Sequence, residues 1–151
     1  MAWITYATVD ARWPNWERFS PYPSVEASAQ TWAGYIITDA EAELTAMIPT
    51  EFLDDAAASP TPAALVSACF YQTRAKIREW FYSEKGAGTA LEEDINHDFE
   101  RAKEVLEAWI QAQIGEEERG GLTMARALRK DPFWQADQNV SVGADYEEAD
   151  L

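Results

Sequence analysis

Residues 89–115 read TALEEDINHDFERAKEVLEAWIQAQIG. Leu91, Ile95, Phe99, Ala102, Leu106, Trp109 and Gln113 recur every three or four positions. That spacing lines one side of an α-helix, whose repeat is 3.6 residues. Thr89 and Glu92 have the spacing of a capping box, in which each side chain satisfies a backbone N–H that the first turn leaves unpaired. Gly115 fits the left-handed residue that closes a helix, so the stretch predicts one long helix with both ends marked.

The same period appears upstream. Val25, Ala29, Trp32, Ile36, Ala40, Leu44 and Met47 form a second stripe, with Ser24 as the expected N-cap and Pro49 as the stop. Asp39, Glu41 and Glu43 are read as its solvated side. A polar, Ala-rich connection covers residues 50–59, and Pro60-Thr61-Pro62 announces the next helix, because proline in a first turn forfeits no intrahelical hydrogen bond. Over residues 63–83, Leu65, Val66, Cys69, Phe70, Ile77, Trp80 and Phe81 wrap more than one face, which predicts a central helix with several neighbours. Gly86 and Gly88 end it.

The two ends differ from this middle. Residues 1–23 are dense in Trp, Tyr and Pro, and Pro14, Pro21 and Pro23 limit helix to one or two turns from Thr8 to Trp13, with Thr8 as its cap. After residue 115 come three glutamates, the hinge-like pair Gly120-Gly121, a short amphipathic piece over 123–130, Pro132, and a tail whose last seven residues hold four acids. The expected fold class is all-α: a three-helix bundle over residues 24–115, an N-terminal aromatic segment with a short helix over 1–23, and an extended C-terminal arm over 116–151.

The chain has 151 residues, of which 47% are hydrophobic, with seven Trp, six Tyr and six Phe. This composition can bury enough apolar surface to offset the entropy of ordering, so disorder throughout is excluded. Twelve Lys and Arg face 27 Asp and Glu, for a net charge of −15. Gripping nucleic acid or an anionic membrane as a main task would need the opposite balance. Residues 1–60 and 91–119 each carry −7, whereas 61–90 carry +2. Arg74 or Arg78 on the middle helix is therefore expected to pair with carboxylates of its neighbours. One cysteine and one histidine exclude a disulfide framework and a Cys-ligated metal site. Without a run of about 20 apolar residues or a basic-then-apolar leader, a soluble chain of a reducing compartment is expected.

Candidate chemistry is sparse. His97 has Glu93 and Glu100 on its side of the helix, half of a Glu-x-x-His metal arrangement that needs two such motifs, so a surface histidine is the stronger reading. Cys69 lies on an apolar side with no imidazole partner and reads as a buried structural thiol. Gly86-Ala87-Gly88 lacks both the third glycine of a dinucleotide fingerprint and the Lys-Ser/Thr of a phosphate loop. No catalytic residue, cofactor or metal is expected. The arm is more informative: Leu128, Pro132, Phe133, Trp134, Val140 and Val142 cannot easily bury themselves, and two readings stand side by side, a docking arm whose aromatics fill a partner's pocket and an arm that folds back onto its own bundle.

Tyr6-Ala7-Thr8 comes first, then Ala33, Ile36, Asp39, Ala40, Glu41 and Leu44 on one helix, and the turn at Pro49. Pro60-Thr61-Pro62-Ala63-Ala64-Leu65, Ala68 and Ala75 follow, then Phe99, Arg101-Ala102, Leu106, Ile110 and Gly115. In order and spacing these features, over about residues 5–115, resemble the head-tail adaptor (connector) proteins of long-tailed bacteriophages. Trp13 to Tyr22 and everything after Gly115 exceed a minimal member. The resemblance implies a non-enzymatic structural protein of the virion neck, made in the host cytoplasm. Copies would form a dodecameric ring that binds the portal protein above and a stopper or tail-completion protein below. DNA would pass through without specific binding, and Glu92, Glu93, Glu100, Glu104 and Glu107 are the candidate channel-facing acids. The rival expectation is an acidic helical protein that sequesters or inhibits a basic DNA-handling partner.

Overall fold

A computed structural model describes residues 2–85 and 89–128, with side chains described for 2–84, 92–116 and 118. The described residues are helical and contain no strand: α1 (Tyr6–Arg12), α2 (Glu26–Thr45), α3 (Leu53–Ala56), α4 (Ala63–Lys85) and α5 (Thr89–Leu128), with 3₁₀ turns at Trp16–Phe19 and Thr50–Phe52. The all-α expectation holds. Two compact units divide the chain, Met1–Gln111 and Ala112–Leu151.

In the first unit α2 lies along α4, and α1 touches both. The buried line of α2 is Ala29, Ala33, Ile37, Ala40 and Leu44. This corrects the expected stripe by about one residue. Trp32 and Ile36 are half-buried at its margin, while Val25 and Met47 are exposed. Three alanines on the buried line let the two helix backbones approach closely, and the larger side chains fill the edges instead. On α4, Leu65, Ala68, Cys69, Phe70, Thr73, Ala75 and Ile77 are buried, more than one side of the helix, as its central position requires.

Of the N-terminal aromatics, Trp3 and Trp16 pack inward, Trp13 and Phe19 are half-buried, and Tyr6 and Tyr22 are exposed. Trp3, Ile4, Val9 and Trp16 belong to the core, and Asn15 takes the left-handed turn (φ 64°) that joins α1 to its 3₁₀ continuation, a conformation Asn tolerates better than most residues. The expected caps shift. α1 starts after Thr5, and Thr8 sits in its first turn, where its hydroxyl accepts the Thr5 N–H at 3.4 Å. α2 starts after Val25 rather than Ser24, and it ends at Thr45, ahead of Pro49. Glu41, read as solvated, is half-buried and accepts the Trp3 backbone N–H at 2.8 Å, tying the start of the chain to α2.

Gly115 is not a stop. α5 runs on through Gly115, Gly120 and Gly121 to Leu128, so the separate amphipathic piece expected from residue 123 is helix of the same element. Each glycine costs a helix about 1 kcal/mol relative to alanine, a cost the run tolerates because the intervening Glu116, Glu117, Glu118 and Arg119 are good helix formers and no proline interrupts it before Pro132. Residues 112–128 of the second unit are helical throughout.

Candidate docking surfaces

Charge organises α4 against both acidic helices. Toward α2, Lys76 Nζ donates to Glu43 Oε2 at 2.8 Å and Gln72 Nε2 donates to Oε1 at 2.8 Å. Burial pulls the Glu43 carboxyl upward, but the bonds from Lys76 and Gln72 and the Lys76 charge outweigh it and hold the group below the usual carboxylate range. Toward α5, the Asp98 carboxylate is 2% exposed. Arg74 grips it with two bonds of 2.8 Å, Nε to Oδ2 and Nη2 to Oδ1, and Arg78 Nη1 adds a third at 3.3 Å. Bonds of this kind are roughly twice as strong as neutral ones, and the parallel pair fixes geometry as well as charge. The Asp98 bonds hold the Arg74 guanidinium above its ordinary range, against the opposing effect of burial. The expected pairing of Arg74 and Arg78 is therefore present, on a buried acid rather than an exposed one.

Sequence reasoning passed over Asp98. The signal was there: Asp98 stands three residues after Ile95 and four before Ala102, within the apolar stripe, while Phe99, assigned to the stripe, is only half-buried. An acid at an apolar position of an amphipathic helix asks for a cationic partner, and α4 supplies two half-buried arginines.

The same arginines lead into an aromatic surface. Arg74 and Arg12 both lie over the Phe70 ring, at 5.1 and 5.6 Å from its centroid, and Arg78 lies over Trp13 at 5.2 Å. Trp13 stacks on Phe19 at 5.0 Å, and Arg18 lies over Phe19 at 5.7 Å. Guanidinium–ring contacts at these distances contribute about 0.5–1 kcal/mol each at exposed sites and hold the cations in place. An arginine–aromatic cluster thus runs from α1 through α4 to the 3₁₀ turn, with Phe70 in the core and Trp13 and Phe19 half-buried. Arg12 and Arg18 are exposed, and among the described residues neither has a carboxylate within 4.0 Å.

The second surface belongs to α5. Glu92, Glu93, Glu100, Glu104 and Glu107 are all exposed, and Glu93, Glu100 and Glu107, seven residues apart, form one line on the side of α5 away from Ile95, Asp98, Ala102, Leu106 and Trp109. Glu104 lies 3.6 Å from Arg101, an exposed pair one turn apart.

His97 is exposed, and no cluster of three or more metal-ligating side chains occurs among the described residues. Cys69 is fully buried, and burial pushes its thiol up to about 12, which removes it as a nucleophile near neutral pH. A groove of about 330 Å³ beside Tyr22, Ser28, Thr31, Trp32 and Tyr35 brings together hydroxyls and rings but no carboxylate or imidazole. No helix among the described residues is long and apolar enough to cross a membrane. Gly86, Ala87 and Gly88 lie outside the described residues, as do Pro132, Phe133, Trp134, Val140 and Val142 of the expected arm; Leu128 is the last helical residue of α5, and its side chain lies outside them too.

No family model matches the chain, and neither does any curated protein or solved structure.

Proposed function

We propose that this chain is a structural adaptor of a bacteriophage neck, in which α2, α4 and α5 form a three-helix bundle, residues 116–151 act as a docking arm, and copies assemble into a ring, dodecameric by the resemblance, that links portal to tail and conducts DNA. The work is mechanical, with no bond made or broken. One observation carries the reading: the acids of α5 divide between two tasks. Asp98 turns inward and secures the fold, whereas Glu92, Glu93, Glu100, Glu104 and Glu107 stay exposed. A wall of such carboxylates repels phosphates, which lets DNA slide without adhering. The resemblance of its helix and proline order to the adaptor family supports the same conclusion. Leu128, Pro132, Phe133, Trp134, Val140 and Val142 would anchor the arm to the portal or to a neighbouring copy, while the lower face would receive the stopper or tail-completion protein.

The test is to measure the solution mass of the purified chain by light scattering, alone and mixed with portal rings, and to image the mixture. A ring of density added beneath the portal supports the proposal. Phe133→Ala with Trp134→Ala should weaken that binding while helix content stays constant. A chain indifferent to portal refutes the adaptor reading. The exposed glutamate line also favours a second reading, an acidic protein that occupies the DNA site of a basic partner; that reading predicts a monomer or dimer that displaces DNA from such a partner and does so less well as salt rises.

A further inference from the structure

We propose that the arginine–aromatic surface of one copy docks on the Glu93–Glu100–Glu107 line of a second copy, making a head-to-tail contact between two different faces. In a chain of net charge −15, guanidiniums gathered on one surface are a local exception. Arg74 and Arg78 share the carboxylate of Asp98, with Asp94 also acting on Arg74, whereas Arg12, which donates to Ser67 Oγ at 3.3 Å, and Arg18 are held over Phe70 and Phe19 rather than over acids. Positive charge is thus left facing outward beside half-buried rings, Trp13 and Phe19, of the type that anchors interfaces. The complementary feature is on the same molecule but on another side of it: three glutamates at seven-residue spacing, outside every ion pair found among the described residues.

Because the two faces lie on different sides of the molecule and do not form one self-complementary patch, the contact is head-to-tail. The contact repeats from copy to copy, and it closes into a ring or extends as a filament according to the rotation per step. Opposite potentials of this kind chiefly speed encounter and fix register, so the association should fade as salt shortens the reach of each charge to about 3 Å at 1 M. For its purpose the contact rests on the ring reading, within which it assigns Glu93, Glu100 and Glu107 to the seam between copies in place of the channel wall; it is tested without portal, so failure of copy-to-copy binding and failure of portal binding are separate results.

Sedimentation or light scattering of the full chain at low salt reads it directly. The wild type should self-associate reversibly and dissociate in high salt. Arg12→Glu with Arg18→Glu should weaken association by about tenfold or more, about 1.4 kcal/mol, with helix content unchanged. Glu93→Lys, Glu100→Lys and Glu107→Lys together should do the same. Mixing the two variants should restore assembly in equimolar proportion, because each then offers the face the other needs. A wild type that stays monomeric at every concentration, a charge reversal without effect, or a mixture that fails to reassemble would each overturn the proposal. So would a fluorescent oligonucleotide that binds the arginine surface of the wild type and is lost on Arg12→Glu with Arg18→Glu while self-association persists, since the surface would then serve nucleic acid.

Discussion

Replacing Asp98 with asparagine keeps the side-chain volume and one acceptor but removes the charge that two arginines share. In the structure that carboxylate is 2% exposed and takes three bonds, two of 2.8 Å from Arg74 and one of 3.3 Å from Arg78. Breaking a fully buried pair costs about 3–5 kcal/mol, chiefly because the remaining charge is stranded. Here the stranded charges are partly wet: both guanidiniums are 24% exposed and can recover some hydration. The lower end of that range, about 3 kcal/mol, is therefore expected. For a domain of this size each kcal/mol shifts the melting temperature by roughly 2–4 °C, so Asp98→Asn should melt about 6–12 °C lower. Urea unfolding followed by circular dichroism should show the loss as a shifted midpoint at constant slope. Glu104→Gln, which removes only the exposed partner of Arg101, should stay within about 0.5 kcal/mol of wild type. A loss below about 1 kcal/mol for Asp98→Asn, or equal losses for the two variants, would refute the account of Asp98 as the buried tie between α4 and α5.

Gly34→Ala should stabilise by up to about 1 kcal/mol, since a Cβ there meets nothing within 4 Å and glycine is costly inside a helix; a lower melting temperature would contradict this. Cys69, buried and pushed up to about 12, should resist thiol reagents at pH 8 in the native state and react once denatured; rapid native labelling would show that the α4 interior opens. Glu43 is held below its ordinary range when folded, so its stabilising contribution is present above about pH 4.3 and is lost as pH falls through the lower folded value. Lys76→Met should thus cost less than about 1 kcal/mol at pH 7, the pair being half exposed, and the gap from wild type should close on acid titration; a gap that persists at pH 2 would assign the loss to packing.

The long helices were legible because their periodicity is strong, and the starts of α4 and α5 are marked by proline and threonine, whereas those of α1 and α2 fell one to three residues from the expected caps. The register of α2 was not, because Trp32 and Ile36 outrank Ala33 on any hydrophobicity scale, yet the small residue occupies the interface. Closeness of approach between backbones decides that choice, and it is a property of two helices rather than of one sequence. Gly115 misled in a related way: a single glycine is a helix end only when the following residues cannot continue the helix, and here they can. On the docking surfaces, the exposed glutamates were visible as polar positions of an amphipathic pattern. The arginine–aromatic surface was not, since Arg12, Arg18, Phe70 and Arg74 are brought together only by the packing of α1 and the 3₁₀ turn on α4.

A net charge of −15 works against compactness, and the placement of the bases answers this in a way that salt can expose. The mildly basic α4 touches both acidic helices, through Lys76 to Glu43 on α2 and through Arg74 and Arg78 to Asp98 on α5. Of these ties only Lys76–Glu43 is open to solvent and thus to screening; Asp98 is sheltered. The repulsion among the remaining acids is exposed and long in range, and it weakens as the Debye length falls from about 30 Å at 0.01 M to about 8 Å at 0.15 M. Screening therefore removes more repulsion than attraction within one copy, and the unfolding free energy should rise over that range. Between copies the balance is reversed, because the arginine surface and the glutamate line are both exposed and attract. A protein whose folding is strengthened and whose self-association is weakened by the same addition of sodium chloride carries its attractive charges on separate faces; parallel changes in the two would mean that the arginines and the glutamates already satisfy each other within one molecule.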